Sequence, residues 1–499
     1  MKLRYFIILM IFSGLLTVSS CKKMMDINKD PDRLPSSFNL YPQLLTSAEV
    51  NLGFEAGSDL FRYATEIMQQ MSGEASSANQ TYFYYLYNIT GSDQNNVWSS
   101  INASTLSDLE LVIQQATAAG SPHYAGVAKV LKAYEYSLVV DTWGDVPFTE
   151  ARQLDKNTQP KYDDDATIYP KLIALLGEAV NDMNASSSVL SPGTNSTFYS
   201  NASFTTARPF WIKLANTLKL RLLLHYSKKD PAFCVAQMTA LINTAGITFM
   251  ASNADNFQHP FFAVANQRNP ISQFEVSRPN YLFADATMVG MMNSKIDPRR
   301  PFYFTDFPLG SGSYVGVSAA APPATANSNY SRVHTFLRGA VTTPAVGTAS
   351  AVYSGAAPQR MLSYAEYCFI RAEGALMGAP GDPQTWFTNG ITASMQEVGV
   401  AAGDITTYLT ANGTLTGTNA QKLRQIIEEK YIALFGVSVE PWTDWRRTGY
   451  PAISIPVNAI NTVTAVPRTL FYPQSEIDLN PNNPGQKSTD LQNKVFWDQ

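Results

Sequence analysis

The chain has 499 residues, 45% of them hydrophobic, so it is long enough to bury a large core or two. Only 15% are charged and the formal net charge is −4, which leaves no basic surface able to track a phosphate backbone and excludes nucleic acid as a partner. Aromatics reach 12%, with 25 Tyr, a globular composition rich in rings that carry a polar tip.

At the N-terminus, Lys2 and Arg4 precede an apolar run over residues 5–16, then small residues, then Cys21. That is the pattern of a secretory leader, too short to act as a spanning helix. Val18-Ser19-Ser20-Cys21 resembles the lipobox at which bacterial lipoproteins are cleaved and acylated, with Val18 where Leu is usual. Residues 1–20 are therefore expected to be a leader and Cys21 the lipidated residue; losing Lys2 and Arg4 leaves the mature chain at −6. Residues 21–40 read as a polar tether, and 41–499 as a single domain. Past the leader no apolar stretch approaches ~20 residues, so acyl chains on Cys21 are the expected membrane attachment.

Helical periodicity predicts helices over residues 41–55 and 59–71. A loop over 73–96 contains Tyr82-Phe83-Tyr84-Tyr85-Leu86-Tyr87. As an extended run it cannot point every ring the same way; Phe83 and Tyr85 are expected to pack inward, with Tyr82, Tyr84 and Tyr87 freer to face solvent. A flat ring with a polar tip suits the apolar face of a sugar, which makes those three the candidate ligand residues, with Tyr281 and Phe261 as rivals. From residue 97 the pattern becomes paired helices, at about 97–141, 167–226, 363–398 and 420–451. Ser121 and Pro122 supply an N-cap and a first helical residue. Tyr124, Val127, Ala128, Leu131, Tyr134 and Leu138 follow on one face, as Trp211, Leu214, Ala215, Leu218 and Leu222 do later. Recurring helical hairpins predict a tetratricopeptide-like array in which each pair buries its face on the next. Residues 185–203 are Ser/Asn-rich and read as a surface loop. Residues 246–360 form a loop-rich insert with few short strands, the expected seat of specificity. Cys234 and Cys368 each sit in an apolar helical context and read as buried free thiols.

The densest stretch is 420–451. An amphipathic helix over 420–435 leads to Glu440-Pro441-Trp442-Thr443-Asp444-Trp445-Arg446-Arg447-Thr448-Gly449-Tyr450-Pro451. Two indoles, two guanidiniums and an Asp this close predict a packed corner locking the helix to its neighbours. Catalytic patterns are sparse. His123, His225, His259 and His334 stand far apart, without the paired spacing of a metal site. Neither a Gly-rich phosphate loop nor a nucleophile elbow occurs. Asp163-Asp164-Asp165 precedes a helix, where acids favour the positive end of the dipole. A glycosidase needs only two carboxylates at the right separation, so these patterns leave an enzyme open among 40 acids; no cofactor and no metal are expected.

Several separated segments also carry a family resemblance. They are Phe61-Arg62-Tyr63 leading to Gln69-Gln70, then Gly144-Asp145-Val146-Pro147-Phe148, then Trp211-Ile212-Lys213-Leu214-Ala215-Asn216. Asp297-Pro298-Arg299, Arg371-Ala372-Glu373, the signature Trp442, Trp445, Arg446 and Arg447, and Tyr472-Pro473-Gln474-Ser475-Glu476 complete the ordered set. The chain resembles the SusD/RagB family of Bacteroidetes outer-membrane lipoproteins. The resemblance implies a mainly α SusD-like fold with four tetratricopeptide-like hairpins and a loop-rich ligand-binding half. It also implies a surface-exposed, lipid-anchored lid on a SusC-like TonB-dependent transporter, capturing an oligosaccharide, or a peptide in some members, without cleaving it. A periplasm-facing tetratricopeptide scaffold is the alternative.

Overall fold

In the computed structural model the described residues are 40–73, 80–153, 156–279, 281–319, 330–343 and 351–499. The leader, Cys21 and the tether lie outside them, as do parts of the 73–96 loop and of the loop-rich insert.

Helix α1 (Tyr41–Ala56) buries Tyr41, Leu45, Ala48 and Leu52, a spacing of four, three and four that keeps one face on the core. Helix α2 (Asp59–Ile67) opens on Asp59, which pairs with Arg62 one turn later. It ends short of the expected residue 71 because Gln69 turns left-handed (φ 56°) and Met71–Ser72 leave as strand β1. The aromatic run is a correction: residues Gln80–Tyr85 form a short helix, α3, and no extended strand. Helix α4 (Asn95–Ser99), a π-helical segment (Ser100–Thr105) and α5 (Leu106–Ala118) follow one another without leaving helical backbone, where the sequence predicts one helix. Helix α6 (Pro122–Trp143) begins at Pro122 as expected and stops at Gly144, whose φ of 78° suits glycine. The Ser121 hydroxyl, expected to cap α6, instead accepts from Leu190 N at 3.0 Å and pairs with the Tyr41 hydroxyl at 2.9 Å.

Helices α7 (Asp165–Met183), α8 (Phe204–His225) and α9 (Pro231–Asn243) come next, α7 capped by Asp164 and α9 by Asp230. Helix α5 packs on α6, α6 on α7, α7 on α8 and α8 on α9, so the first two hairpins pack on one another, as expected of an array in which each pair buries its face on the next. The 185–203 loop is tied down, because buried Glu49 accepts from Ser196 Oγ at 2.9 Å and from Thr197 N and Oγ1.

The loop-rich insert holds β2 (Phe257–His259), α10 (Pro270–Ser277), β3 (Phe283–Ala284), α11 (Ala286–Ser294), α12 (Arg300–Tyr303), α13 (Thr335–Arg338) and β4 (Gln359–Leu362). Two antiparallel pairings fasten it: Met71 faces Ala284 in β1–β3, and Phe257 faces Leu362 in β2–β4. Helix α1 can lie on β2 because Gly53 has no side chain; a Cβ there would sit 2.4 Å from His259 Cγ.

Helices α14 (Tyr364–Met377) and α15 (Pro383–Val398) form the third hairpin, with Ser363 and Asp382 as caps and Gly378 and Gly399 as left-handed stops. After α16 (Ala402–Asn412), α17 (Asn419–Ala433) opens on a Thr418/Gln421 capping box and α18 (Glu440–Thr448) follows; α19 (Gln474–Leu479) is short and mostly half-buried. A mainly helical fold is thus observed. One apolar cluster runs from Tyr41 to Trp497, and a smaller one gathers Phe369, Phe387, Met395 and Ile426 between α14, α15 and α17. Cys234 and Cys368 are free and buried, and burial pushes both thiols up to about 12.

Candidate functional site

The signature stretch proves to be interior. On α18, Trp442, Arg446 and Arg447 are buried and Trp445 is half-buried. Arg446 lies between the Trp442 and Trp497 rings, 4.1 and 4.7 Å from their centroids, and donates to the backbone oxygens of Asp141 and Arg468. Trp442 Nε1 donates to Pro467 O at 2.8 Å. Arg447 grips Glu373 with both terminal nitrogens, at 2.8 and 3.1 Å, and reaches Asp444 at 2.6 Å. Lys430 on α17 sits between Glu440 (3.0 Å) and Asp444 (2.8 Å), while Arg221 on α8 holds Glu366 in bidentate fashion. Burial alone would raise the Glu440 pKa; Lys430, His225 and Arg221 outweigh it and hold the carboxyl well below its usual range. These buried pairs join α8, α14, α17 and α18, and Glu373 and Arg447 also line a cavity of 770 Å³ with Ser227, Lys228 and Thr448.

The aromatic run divides differently from its expected alternation. Because it is helical, Tyr84 and Tyr85 share the inner side, and Tyr87 turns in after them at φ 61°. Tyr84 and Tyr87 are each 1% exposed, Tyr84 edge-on against Tyr63 with centroids 4.6 Å apart. Neither can stack on a ligand as placed, which corrects the expectation for both. Tyr82 and Phe83 are half-buried, their rings 6.2 Å apart. Thr81 Oγ1 donates to the backbone oxygen of Tyr281, so the rival candidate Tyr281, also half-buried, stands against the same turn. Behind it Phe274 lies edge-on to Tyr281 at 5.8 Å, with the Arg62 and Arg278 guanidiniums at 4.3 and 5.4 Å from its ring. Arg278 is exposed and supplies a hydrogen-bonding edge beside the rings. Sequence reasoning missed Arg278 and Phe274, which stand too far along the chain from Tyr82 for any local pattern to join them.

The other rival, Phe261, is buried, and lines a separate cleft of 430 Å³ with Phe54 and the 53%-exposed Phe262, rimmed by Ser200, Asn266 and Gln267. His259 stands in its wall between Phe198 and Phe261; burial pushes it down to about 4, the Pro260 backbone opposing weakly, so it is neutral. The acidic trio also has structural duties. Asp164 caps α7, Asp163 accepts from Phe148 N and Thr149 N, and Asp165 accepts from Phe496 N at 2.8 Å. Asp145, Asp164 and Asp165 bring carboxylate oxygens within 4.8 Å of one another, a spacing a cation could use, and burial pushes Asp165 up to about 6.

The sequence pattern of a family described as "Starch-binding associating with outer membrane" matches residues 34–473. Among solved structures, a SusD homologue from Bacteroides fragilis is similar at 20% identity, covering 92% of this chain and 99% of its own, with a TM-score of 0.73. A SusD-like protein from Bacteroides thetaiotaomicron gives 23%, 92%, 98% and 0.72, and a chitin-binding SusD homologue from Flavobacterium johnsoniae 19%, 92%, 99% and 0.72. At these identities the likeness is one of fold. No curated protein matches.

Proposed function

Since this chain belongs to the SusD-like family, we propose that it captures an oligosaccharide at the surface formed by Tyr82, Phe83 and Tyr281, binding it without cleaving it. The observation that carries this reading is the bond from Thr81 Oγ1 to the Tyr281 backbone, which sets half-buried Tyr281 against the turn carrying half-buried Tyr82 and Phe83, with exposed Arg278 on the adjoining Phe274. Flat apolar faces edged by guanidinium donors complement a pyranose, whose own face is apolar and whose rim is hydroxylated. Calorimetric titration with maltodextrins and chitooligosaccharides tests it. One of them should bind, and Tyr82→Ala with Tyr281→Ala should weaken it by about tenfold per ring, while the melting temperature shifts little. Unchanged affinity in that pair, with loss in Phe262→Ala, would move the site to the Phe54–Phe262 cleft. Release of shorter sugars would make the protein an enzyme.

The proposal extends to anchoring and delivery. Among the described residues no helix is long and apolar enough to cross a membrane, and the family description places its members with the outer membrane. Acyl chains on Cys21 would hold the protein there. A binding protein tethered beside a TonB-dependent barrel of the SusC type keeps its ligand at high local concentration over the entrance. Purified from mild detergent, the wild type should carry a fatty-acid label and bring down such a barrel. Cys21→Ala should lose the label; equal labelling would remove Cys21 from the anchor, and a chain recovered alone would remove the transporter.

A further inference from the structure

A cleft of 320 Å³ is lined by Lys132, Arg152, Lys171, Glu110, Tyr136 and Phe148. Three cations face it against one carboxylate, in a chain whose net charge is −4. Glu110 is engaged by Lys132 at 2.6 Å, an attraction that outweighs burial and lowers its pKa. Lys171 is 47% exposed and 3.9 Å from Asp163, whose oxygens already accept from Phe148 N, Thr149 N and the Thr149 hydroxyl.

Arg152 is the least balanced of the three. No carboxylate among the described residues comes within ion-pair distance of it. Its Nη1 donates to the Tyr136 hydroxyl and its Nη2 to Asn102 Oδ1, while Nε is buried without an acceptor. Each terminal nitrogen keeps a second hydrogen to offer. Two acids reach Arg152 with their fields: Glu135, held well above the usual range by burial and by Glu55, and Glu110, already engaged by Lys132. Arg152 also sits at φ 59°, a region that a non-glycine residue occupies only when its surroundings hold it there. The aromatic rings orient the cations without discharging them: Lys132 and Lys171 lie 5.8 and 5.6 Å from the Phe148 centroid, and Arg152 lies 4.9 Å over Tyr136.

We propose that this cleft is an oxyanion subsite that takes the carboxylate of a uronic acid or the sulfate of a sulfated sugar between Arg152, Lys171 and Lys132. The planar guanidinium fork matches a carboxylate in bidentate fashion, and the ammoniums add unspecific attraction. The sugar part of this assignment rests on the glycan reading above; the oxyanion part does not.

Calorimetry on the full mature lipoprotein in detergent, with glucuronic acid, inorganic sulfate and glucose as ligands, tests it. At least one anion should bind and glucose should not compete with it, and the affinity should fall several-fold between about 50 and about 500 mM NaCl. Arg152→Gln should weaken the anion by about tenfold. Because that change also cuts the ties to Tyr136 and Asn102, Lys171→Glu is the second variant; it touches neither and should abolish binding. Glucuronate without sulfate assigns a uronic acid, and sulfate without glucuronate a sulfated sugar; either supports the subsite. A wild type that binds neither anion, or a Lys171→Glu protein that binds as the wild type does, overturns it. If the anions bind here while every neutral oligosaccharide fails, the glycan reading falls and the subsite stands.

Discussion

Replacing Lys430 with methionine should destabilise the protein by about 3–5 kcal/mol, the usual cost of removing one partner from a buried ion cluster. The ammonium has no exposed surface and stands between Glu440 and Asp444, which stay behind when it goes. Burial works to raise both acids, and Lys430 is the largest influence opposing it in each. Without it, Glu440 still has Arg221 at 3.6 Å and His225 at 3.3 Å, and Asp444 still has Arg447 at 2.6 Å, but Glu366, Glu373, Glu440 and Asp444 then share two paired guanidiniums, Arg221 and Arg447. Urea unfolding followed by tryptophan emission reads the loss, since Trp442 lies within the same corner. Lys430→Met with Glu440→Gln and Asp444→Asn should recover a good part of the stability, because the orphaned charges leave together. A single variant that loses less than about 1 kcal/mol would show that the cluster does not hold the helices.

Stability should fall as pH rises from about 5 to about 8, by an amount large enough to move the melting temperature several degrees. Burial pushes Glu49, Glu55 and Asp285 each up to about 7, and holds Glu66 well above its usual range. An acid whose folded pKa exceeds its unfolded one binds more protons when folded. Its contribution is therefore fully present below the unfolded value near 4.5 for Glu or 3.8 for Asp and is lost as pH climbs through the folded value. A displacement of this size corresponds to roughly 3 kcal/mol per group once ionised. Buried His259 and half-buried His334, each pushed down to about 4, act in the opposite sense below about 6.5 and offset part of the decline. Glu440 and Glu429, held low by their cations, lose their contribution only as pH drops below the ordinary carboxylate range. The stability maximum should accordingly lie on the acid side of neutrality. Glu49→Gln should flatten the decline, since an amide cannot ionise. A melting temperature that is flat or rising between pH 5 and 8 would contradict the assignment.

Much of the scaffold is legible in the sequence because helices are local. The pair expected at about 363–398 appears as Tyr364–Met377 and Pro383–Val398, the second helix with Asp382 before it and Gly399 after it. Helix α17 begins within a residue of its expected start, where Thr418 and Gln421 close a capping box. Periodicity and caps act within one or two turns, so neighbouring residues contain the information. The packed corner at 440–451 was legible in kind, because large amphipathic side chains that dense have few alternatives to burial. Its partners were not: Asp141, Arg221, Glu366 and Glu373 come from other helices, and an ion pair has no sequence spacing.

The aromatic run shows the opposite case. As an extended run Tyr82 to Tyr87 would put aromatics on both faces, yet α3 is helical, since Tyr84 meets Tyr63 and Tyr87 enters the core against residues no local pattern could supply. Only Tyr82 of the three candidate residues keeps an outward surface, and its neighbour in space, Tyr281, was named by sequence without being connected to it. The Arg152 cleft lay beyond reach for the same reason. Residue type and spacing determine which segments become helices and which side chains seek burial. Which charges find a partner, and which are left facing a cleft, is decided when distant segments pack, because desolvation and attraction both depend on neighbours that only the tertiary fold brings together.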